Sequence, residues 1–274
     1  MTKIIACIAS RMESTRLKQK TLVDIKGYPM TQWLVERLKT CKNLDEITLC
    51  TPNNDANKIL RDKAVNEWGV HAHAGPLEDV LMNYIEATEK LNGTHFIRVT
   101  GDNIFTDPQY LDVMIEKHLE SGADYSRIEG LPLGVTAECM ELEYAKRVHA
   151  SIKDPADSGY TVLFSFKPDL YDCVVLDCKA DHNRPNLSLT VDTQSDLDQV
   201  MKIINAFPDE KWGPNLTQII EWSDSNPNDR IDVSDDTPIK MPKGVVITFK
   251  QFKDNFNQHK LSARHVGVDE YELS

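Results

Sequence analysis

Cationic and hydroxyl side chains are concentrated near the start of the chain. Residues 10–20 (SRMESTRLKQK) carry four cations and three hydroxyl groups, and they directly follow the apolar run 3–9 (KIIACIA). Arginine binds phosphate through a forked pair of N–H groups, and lysine binds it as a compact positive charge. Arg11, Arg16 and Lys20 are therefore suited to holding a polyphosphate. A solvated basic loop is the alternative, because most charge runs lie on the surface.

Two aspartates follow other apolar runs. Asp102 comes after 94–100 (THFIRVT), and Asp192 comes after 187–191 (LSLTV). Two carboxylates at adjacent strand ends can share a divalent cation such as Mg²⁺, which prefers oxygen ligands and offsets charge on phosphate. The alternative for Asp102 is a turn residue within Gly-Asp-Asn. Together, the basic segment and the two carboxylates predict a magnesium site beside a phosphate site.

The elements that must position these residues alternate between strand and helix. Apolar runs predict strands over 3–9, 46–51, 70–74 and 94–100. Helical spacing predicts helices over 30–40, 54–68, 77–91 and from Pro108 to about 118, with Asp107 as the cap of the last helix. This order is typical of an α/β fold with a doubly wound, mostly parallel sheet. Ligands bind such a sheet outside the carboxyl ends of its strands, where the polar signals lie.

The regular alternation of predicted strands and helices ends near residue 123. Short strand candidates at 123–127, 134–140, 171–178 and 187–191 predict a small mixed or antiparallel edge, with helices at 141–151, 158–166, from Asp196 and at 215–224. Residues 225–244 are rich in Asn, Asp and Pro, which is typical of a linker. Residues 245–252 (VVITFKQF) are strand-like. We therefore predict a domain over 1–226 and a C-terminal arm over 227–274 that pairs with its own sheet or serves as an oligomerisation element.

Charge and cysteine usage narrow the class of protein. The chain of 274 residues carries 31 Lys and Arg against 43 Asp and Glu, a formal charge of -12, so we expect no nucleic-acid or anionic-membrane partner. The apolar run at the start is too short for a signal peptide or a membrane span. The six cysteines are scattered without a CxxC pair, which predicts reduced thiols and a cytoplasmic protein.

Several motifs, in order, carry a resemblance to a known family. The chain resembles the cytidylyltransferases that make CMP-activated acidic sugars, and it is most similar to the spore-coat-polysaccharide type. The matching motifs are IIACIASRMESTRLKQK (4–20), GYPMTQWLVERLK (27–39), GPLEDVLMNY (75–84), RVTGDNIFTDP (98–108), HLESGADY (118–125) and LTVDTQSDL (189–197). The resemblance implies a nucleotidyltransferase sheet of the Rossmann-like, glycosyltransferase-A-like type. It also implies transfer of CMP from CTP to a small anionic acceptor in polysaccharide biosynthesis, and a homodimer.

The resemblance also implies roles for individual residues. Arg11, Arg16 and Lys20 would bind the triphosphate, Asp102 and Asp192 would hold Mg²⁺, and Arg11, Lys20 and the two aspartates would be catalytic. The nucleotide pocket would be formed by Ala9, Ser10, Arg11, Ser14, Arg16, Lys20, Gly75 and Asp79. For Asp79, with Glu78, the alternative is an acidic first helical turn.

The chain departs from the family pattern at two places. Glu13 stands where the family has Gly, and Lys18-Gln19 stands where it has Pro-Gly, so the loop lacks the glycines that let backbone approach phosphate. On the acceptor side, residues 132–138 (PLGVTAE) stand where many relatives have a DGxDxE-like run: Glu138 is kept as a candidate acceptor-binding group, but Thr136 replaces an acidic residue. A nonulosonic acid, a Kdo-like sugar, a phosphonate or a phosphate therefore all stay open as acceptors. Another nucleotide, a glycosyltransferase activity, or a silent nucleotide-binding module are the alternative functions.

Overall fold

The computed structural model describes residues 2–14 and 16–267, so Thr15 and the end of the predicted arm lie outside the described residues. The strands are β1 (Ile4–Ala9), β2 (Asp24–Ile25), β3 (Tyr28–Pro29), β4 (Glu46–Pro52), β5 (His71–Gly75), β6 (His95–Thr100), β7 (Tyr125–Glu129), β8 (Glu138–Glu141), β9 (Cys173–Asp177), β10 (Pro238–Lys240), β11 (Val246–Thr248) and β12 (Arg264–Gly267). The helices are α1 (Met30–Leu38), α2 (Lys58–Asn66), α3 (Val80–Lys90), α4 (Pro108–Ser121), α5 (Leu142–Ser151), α6 (Thr161–Ser165), α7 (Gln194–Ala206), α8 (Leu216–Ser225) and α9 (Phe249–Lys260).

One large sheet organises the described chain. Its strand order is β12-β9-β7-β8-β6-β1-β4-β5. Strand β1 pairs in parallel with both β4 and β6, whereas β8 runs antiparallel to both β6 and β7. The predicted mostly parallel α/β sheet is therefore confirmed. Its antiparallel element lies inside the large sheet, between β7 and β6, while β2-β3 and β10-β11 form small antiparallel ribbons.

The apolar sequence of β1 explains its central place. Its side chains alternate between the two faces of the sheet: Ile4, Ala6 and Ile8 join one buried cluster, while Ile5 and Cys7 join the other. Helices cover both faces, so neither face of this strand meets water, as in other doubly wound sheets. The carboxyl end of β1 therefore opens into the edge of the sheet where a ligand can bind.

Capping residues set the helix boundaries near that edge. The Asp107 carboxylate accepts hydrogen bonds from the backbone N–H groups of Gln109 and Tyr110, and Pro108 occupies the first turn of α4. Thr193 and Asp196 form a reciprocal capping box at the start of α7. These contacts confirm the predicted capping role of Asp107.

The state of the cysteines agrees with the reduced thiols that the sequence predicts, and the character of the helices bears on whether the chain could cross a membrane. All six cysteines are free thiols, and five of them are buried. Within residues 2–14 and 16–267, no helix has the length and apolar character needed to cross a membrane.

Two predicted strands are wrong. Residues 245–252 form the short strand β11 followed by α9, because Thr248 and Gln251 make a capping box and Phe249, Phe252 and Phe256 recur at helical spacing. Residues 187–191 make only isolated bridges, which involve Leu187 and Ser188.

The C-terminal segment packs against its own chain. Strand β12 pairs in parallel with β9 and so extends the sheet at that edge. The ring of Phe256 stacks on that of Phe166, with centroids 5.0 Å apart. The division of the chain into two domains at residue 226 stays a prediction. The described part of the C-terminal arm packs on the large sheet through β12 and Phe256.

Candidate active site

The loops that follow β1 and β6 touch each other. The backbone N–H of Gly101 donates to the carbonyl oxygen of Ala9 at 2.8 Å. A Cβ on Gly101 would lie 3.0 Å from that oxygen and from the Cβ of Ser10, which is tighter than most real contacts. Glycine at position 101 therefore lets the two loops approach each other. Asp102, which follows the end of β6, lies beside the start of the basic segment.

Asp102 and Asp192 meet at the ammonium group of Lys20. Lys20 Nζ lies 2.7 Å from Asp102 Oδ2 and 2.7 Å from Asp192 Oδ1, and it also donates to the carbonyl oxygen of Val191 at 3.1 Å. Arg16 Nη2 lies 3.0 Å from Asp192 Oδ2. The structure thus brings together four of the residues that the sequence nominated, although they are up to 176 positions apart (192 minus 16).

The neighbouring carboxylates stabilise the protonated form of Lys20. Burial alone would lower the pKa of the ammonium, but the facing carboxylates of Asp102 and Asp192 outweigh it and raise the pKa. Lys20 is thus a stable cation at the point on which both carboxylates converge.

The two carboxylates suit a divalent metal. They supply hard oxygen donors, and they already converge on one cation, the ammonium of Lys20. Across the described ranges, no group of three or more His, Cys, Asp or Glu side chains is placed to hold a metal. A Mg²⁺ ion here would therefore take its other ligands from phosphate and water, as is usual for this ion.

The other residues in and beside the basic segment differ in their exposure. Arg11 and Lys18 are exposed, whereas Ser10 is buried and its hydroxyl has no hydrogen-bond partner among the described residues. Ala9 and Ser14 are half-buried. Ser10 therefore offers an unused polar group directly beside the loop that precedes Asp102.

Gln19 has a left-handed backbone conformation, with φ at 50° and ψ at 33°. Glycine adopts this region freely, but other residues pay an energetic penalty in it. Gln19 stands where the resemblance places glycine, so the loop keeps the glycine-like geometry without the glycine.

Glu13 is turned away from the two aspartates. Its carboxylate accepts hydrogen bonds from the side-chain amides of Asn54, at 2.8 Å, and Asn57, at 3.0 Å. Burial would raise the pKa of Glu13, but these amides outweigh burial and lower it. Asn57 also accepts a hydrogen bond from the backbone N–H of Met12 at 2.8 Å. The amide of Asn57 thus fixes the loop, a role that the sequence analysis missed.

Gly75 and Asp79 lie at the end of β5 and the start of α3. A Cβ on Gly75 would overlap the amide of Asn83 at 2.1 Å, so glycine is needed there for packing. The Asp79 carboxylate caps α3 by accepting from the N–H of Met82, and its second oxygen lies 2.7 Å from His149 Nε2. Asp79 therefore has a capping role in addition to the nucleotide contact that the resemblance implies, which stays a prediction.

Glu138 lies on β8, opposite Arg98 of the neighbouring strand β6. Its carboxylate is buried and pairs with Arg98 at 2.7 Å. It borders a cavity of about 530 Å³ whose lining also includes Thr100, Asn103 and Arg127. The sequence analysis missed Arg98 and Arg127. The sequence offered a signal for both residues, because each is an arginine within an otherwise strand-like run, where a charged side chain needs a partner or a ligand.

Comparison with known proteins identifies the family. Residues 5–211 match the family model described as Cytidylyltransferase, so the chain belongs to the cytidylyltransferase family. It is similar to the spore coat polysaccharide biosynthesis protein SpsF of Bacillus subtilis, with 28% identity over 83% of this chain and 97% of that protein. It is also similar to the 3-deoxy-manno-octulosonate cytidylyltransferase of Chlorobium phaeobacteroides, with 28% identity over 61% of this chain and 64% of that enzyme.

The fold has a solved counterpart. A cytidylyltransferase structure from Leptospira borgpetersenii superposes with a TM-score of 0.77 at 20% identity, covering 85% of this chain and 98% of that one. The predicted family and fold class are confirmed, and the chain is a CTP-dependent nucleotidyltransferase.

Proposed function

We propose that the enzyme transfers CMP from CTP to a hydroxyl group of a small acidic sugar of the nonulosonic or Kdo type, with Mg²⁺ as its cofactor. The observation that carries the proposal is the convergence of Asp102 and Asp192 on the cation of Lys20, with Arg16 beside them. Such an arrangement supports a site in which a cation lies between carboxylates and phosphates. The similarity to SpsF and to a 3-deoxy-manno-octulosonate cytidylyltransferase supports an acidic sugar as acceptor.

The reaction is a displacement at the α-phosphorus of CTP. The acceptor oxygen forms the new P–O bond, the bond to the β-phosphate oxygen breaks, and pyrophosphate leaves with that electron pair. The hydroxyl proton passes to solvent or to a nearby carboxylate, for which Glu138 is the candidate. Arg11, Arg16 and Lys20 hold the leaving pyrophosphate, so the protein contributes mainly positioning and charge.

Asp102 and Asp192 would hold the metal. Bound there, Mg²⁺ supplies charge neutralisation at the α-phosphate. Lys20 would bind the β- and γ-phosphates, in line with the triphosphate contact that the resemblance implies for it.

The test is pyrophosphate release with each of the four common ribonucleoside triphosphates, with and without Mg²⁺, in the presence of candidate sugar acids. We expect release with CTP only when metal and acceptor are both present. Pyrophosphate release with another triphosphate would reassign the nucleotide. CTP binding without release under any condition would favour a silent nucleotide-binding module.

The predicted homodimer and cytoplasmic location are retained as part of the proposal. Val245, in the connection before β11, and Val246, in β11, are more than half exposed, which supports a contact between subunits there. Light scattering of the intact chain tests the dimer: a monomer mass at assay concentration would rule it out.

A further inference from the structure

A cavity separates the strand ends from the C-terminal helix. It has a volume of about 530 Å³, within the range of pockets for small molecules. At one end are Thr100 and Asn103, which flank the loop of Asp102. At the other end are Phe256 and Lys260 of α9. An acceptor in this cavity would therefore reach from the reaction centre to a helix outside residues 5–211, the part that matches the family.

The floor of the cavity carries arginines that are not fully satisfied. The side chain of Arg127 is 18% exposed, and its Nη1 atom is buried with no hydrogen-bond partner among the described residues. The hydroxyl of Tyr125 lies near this guanidinium but forms no hydrogen bond of normal geometry with it. Arg98 Nε is likewise buried and unpartnered. Buried donors without acceptors cost free energy, and such groups mark places where a ligand can supply the missing acceptor.

The charges leave one cation uncompensated. Arg98 and Glu138 form a pair at 2.7 Å. Glu129 is shared by two cations: its Oε1 lies 2.7 Å from Arg127 Nε, and its Oε2 lies 2.6 Å from Lys260 Nζ. The cluster of Arg127, Glu129 and Lys260 therefore has a net charge of one positive, and the two remaining charged residues of the lining, Lys253 and Asp177, are of opposite sign. A single carboxylate matches that charge better than a dianionic phosphate does.

The ring of Phe256 in the wall and the buried ring of Phe166 hold the guanidinium in place. The guanidinium carbon of Arg127 lies 4.5 Å from the ring centroid of Phe256 and 5.6 Å from that of Phe166. Stacking of this kind fixes the guanidinium plane and leaves its N–H edges free to bind an anion. Phe256 and Lys260 thus bring the C-terminal helix into the same cluster as the sheet residue Arg127.

We propose that this cavity is the acceptor site, that Arg127 and Lys260 bind the carboxylate of a sugar acid, and that α9 thereby determines which acceptors the enzyme accepts. The inference rests on the proposed function for the reaction, and it adds the location and the recognising groups of the acceptor. The carboxylate sits at the α9 end, and the nucleophilic hydroxyl lies near Asn103 and Thr100.

The experiment measures, by calorimetry, the binding of sugar probes to the full-length chain in the presence of Mg²⁺ and a non-hydrolysable CTP analogue. The probes are 3-deoxy-manno-octulosonate as sugar acid, mannose 6-phosphate as sugar phosphate and mannose as neutral sugar. The variants are Lys260→Met and Arg127→Met, with Lys260→Arg as the conservative variant and Lys250→Met as the control on the exposed face of α9. Thermal unfolding checks that each variant is folded.

We expect Lys260→Met and Arg127→Met each to raise the Kd of the sugar acid by about tenfold to a hundredfold, the range for a lost charge-assisted contact. The Kd of the CTP analogue should stay within about twofold, and Lys260→Arg and Lys250→Met should resemble the parent. The inference is overturned if the sugar acid binds equally well to Lys260→Met, or if the parent binds the CTP analogue but no sugar acid. Tighter binding of mannose 6-phosphate that depends on the same residues overturns the carboxylate assignment. Failure of the parent to bind the CTP analogue would instead count against the proposed function.

Discussion

The backbone N–H of Val191 donates a hydrogen bond of 3.0 Å to the carbonyl oxygen of Asp102. This bond ties the segment before Asp192 to the end of β6, although that segment forms no regular strand. The second carboxylate is thus positioned by this backbone contact together with the contacts that Lys20 makes to Asp192 and to the carbonyl oxygen of Val191.

The first prediction concerns this pair of carboxylates. Asp102→Asn and Asp192→Asn should each lower turnover by at least about a hundredfold, because losing one charge weakens both metal binding and the offset of phosphate charge. Pyrophosphate release as a function of Mg²⁺ measures the effect. Asp198→Asn, on the exposed face of α7, is the control. Near-normal release by both variants at limiting Mg²⁺ would refute the two-carboxylate site.

The second prediction concerns Lys20. Lys20→Ala should weaken CTP binding by about tenfold to a hundredfold and affect CMP much less, because the ammonium is assigned to the β- and γ-phosphates. Calorimetry with both nucleotides in the presence of Mg²⁺ measures the difference, and Lys18→Ala, at an exposed neighbouring position, is the control. Equal weakening for CMP and CTP would place Lys20 away from the terminal phosphates.

The third prediction concerns the strained position in the loop. Gln19→Gly should be more stable than Gln19→Ala by about 1 kcal/mol, because only glycine adopts a φ of 50° without a steric penalty. Urea unfolding of the two variants gives the difference directly. Equal stability would show that the loop does not hold this residue in the left-handed region.

The fourth prediction concerns pH and the buried His118. Burial and, as the smaller cause, the neighbouring His95 together lower the pKa of His118 to about 3. The unfolded chain binds a proton near the ordinary pKa of 6.5, which the folded chain cannot do, so stability is lost as pH falls from 6.5 toward 3. Between pH 7 and pH 5 this loss should be about 2 kcal/mol.

The test compares the parent with His118→Gln: the free energy of unfolding of each is measured with urea at pH 7 and at pH 5. The variant should lose less stability on acidification, because glutamine does not titrate while it can still bond to Ser126. His259→Gln, at a half-exposed position, should lose as much as the parent. An identical pH dependence for His118→Gln would show that His118 accepts a proton in the folded state.

The sequence predicted the parallel half of the sheet because runs such as that of β1 are apolar throughout and are bounded by polar loops. It also brought Asp102 and Lys20 to one edge, since carboxyl ends of parallel strands share an edge. Asp192 lies at the same edge although the segment before it makes only isolated bridges, so its place was predicted from a strand that does not form. It could not place Arg98 and Arg127 in one cavity, because their neighbourhood depends on β8 entering the sheet antiparallel between their strands. It misassigned α9 because a run as short as 245–252 fits the strand period and the helix period equally well.

The order of the elements along the chain has a consequence for synthesis on the ribosome. The two strands that flank β1 are complete by Thr100, and the last of the proposed metal ligands, Asp192, emerges well before α9 and β12. Until β12 arrives, β9 is an unpaired sheet edge, and the cavity below α9 has no wall. A nascent chain that lacks α9 and β12 therefore has no Phe256 ring to stack on Phe166 and has an open edge at β9, two features that favour association with other chains.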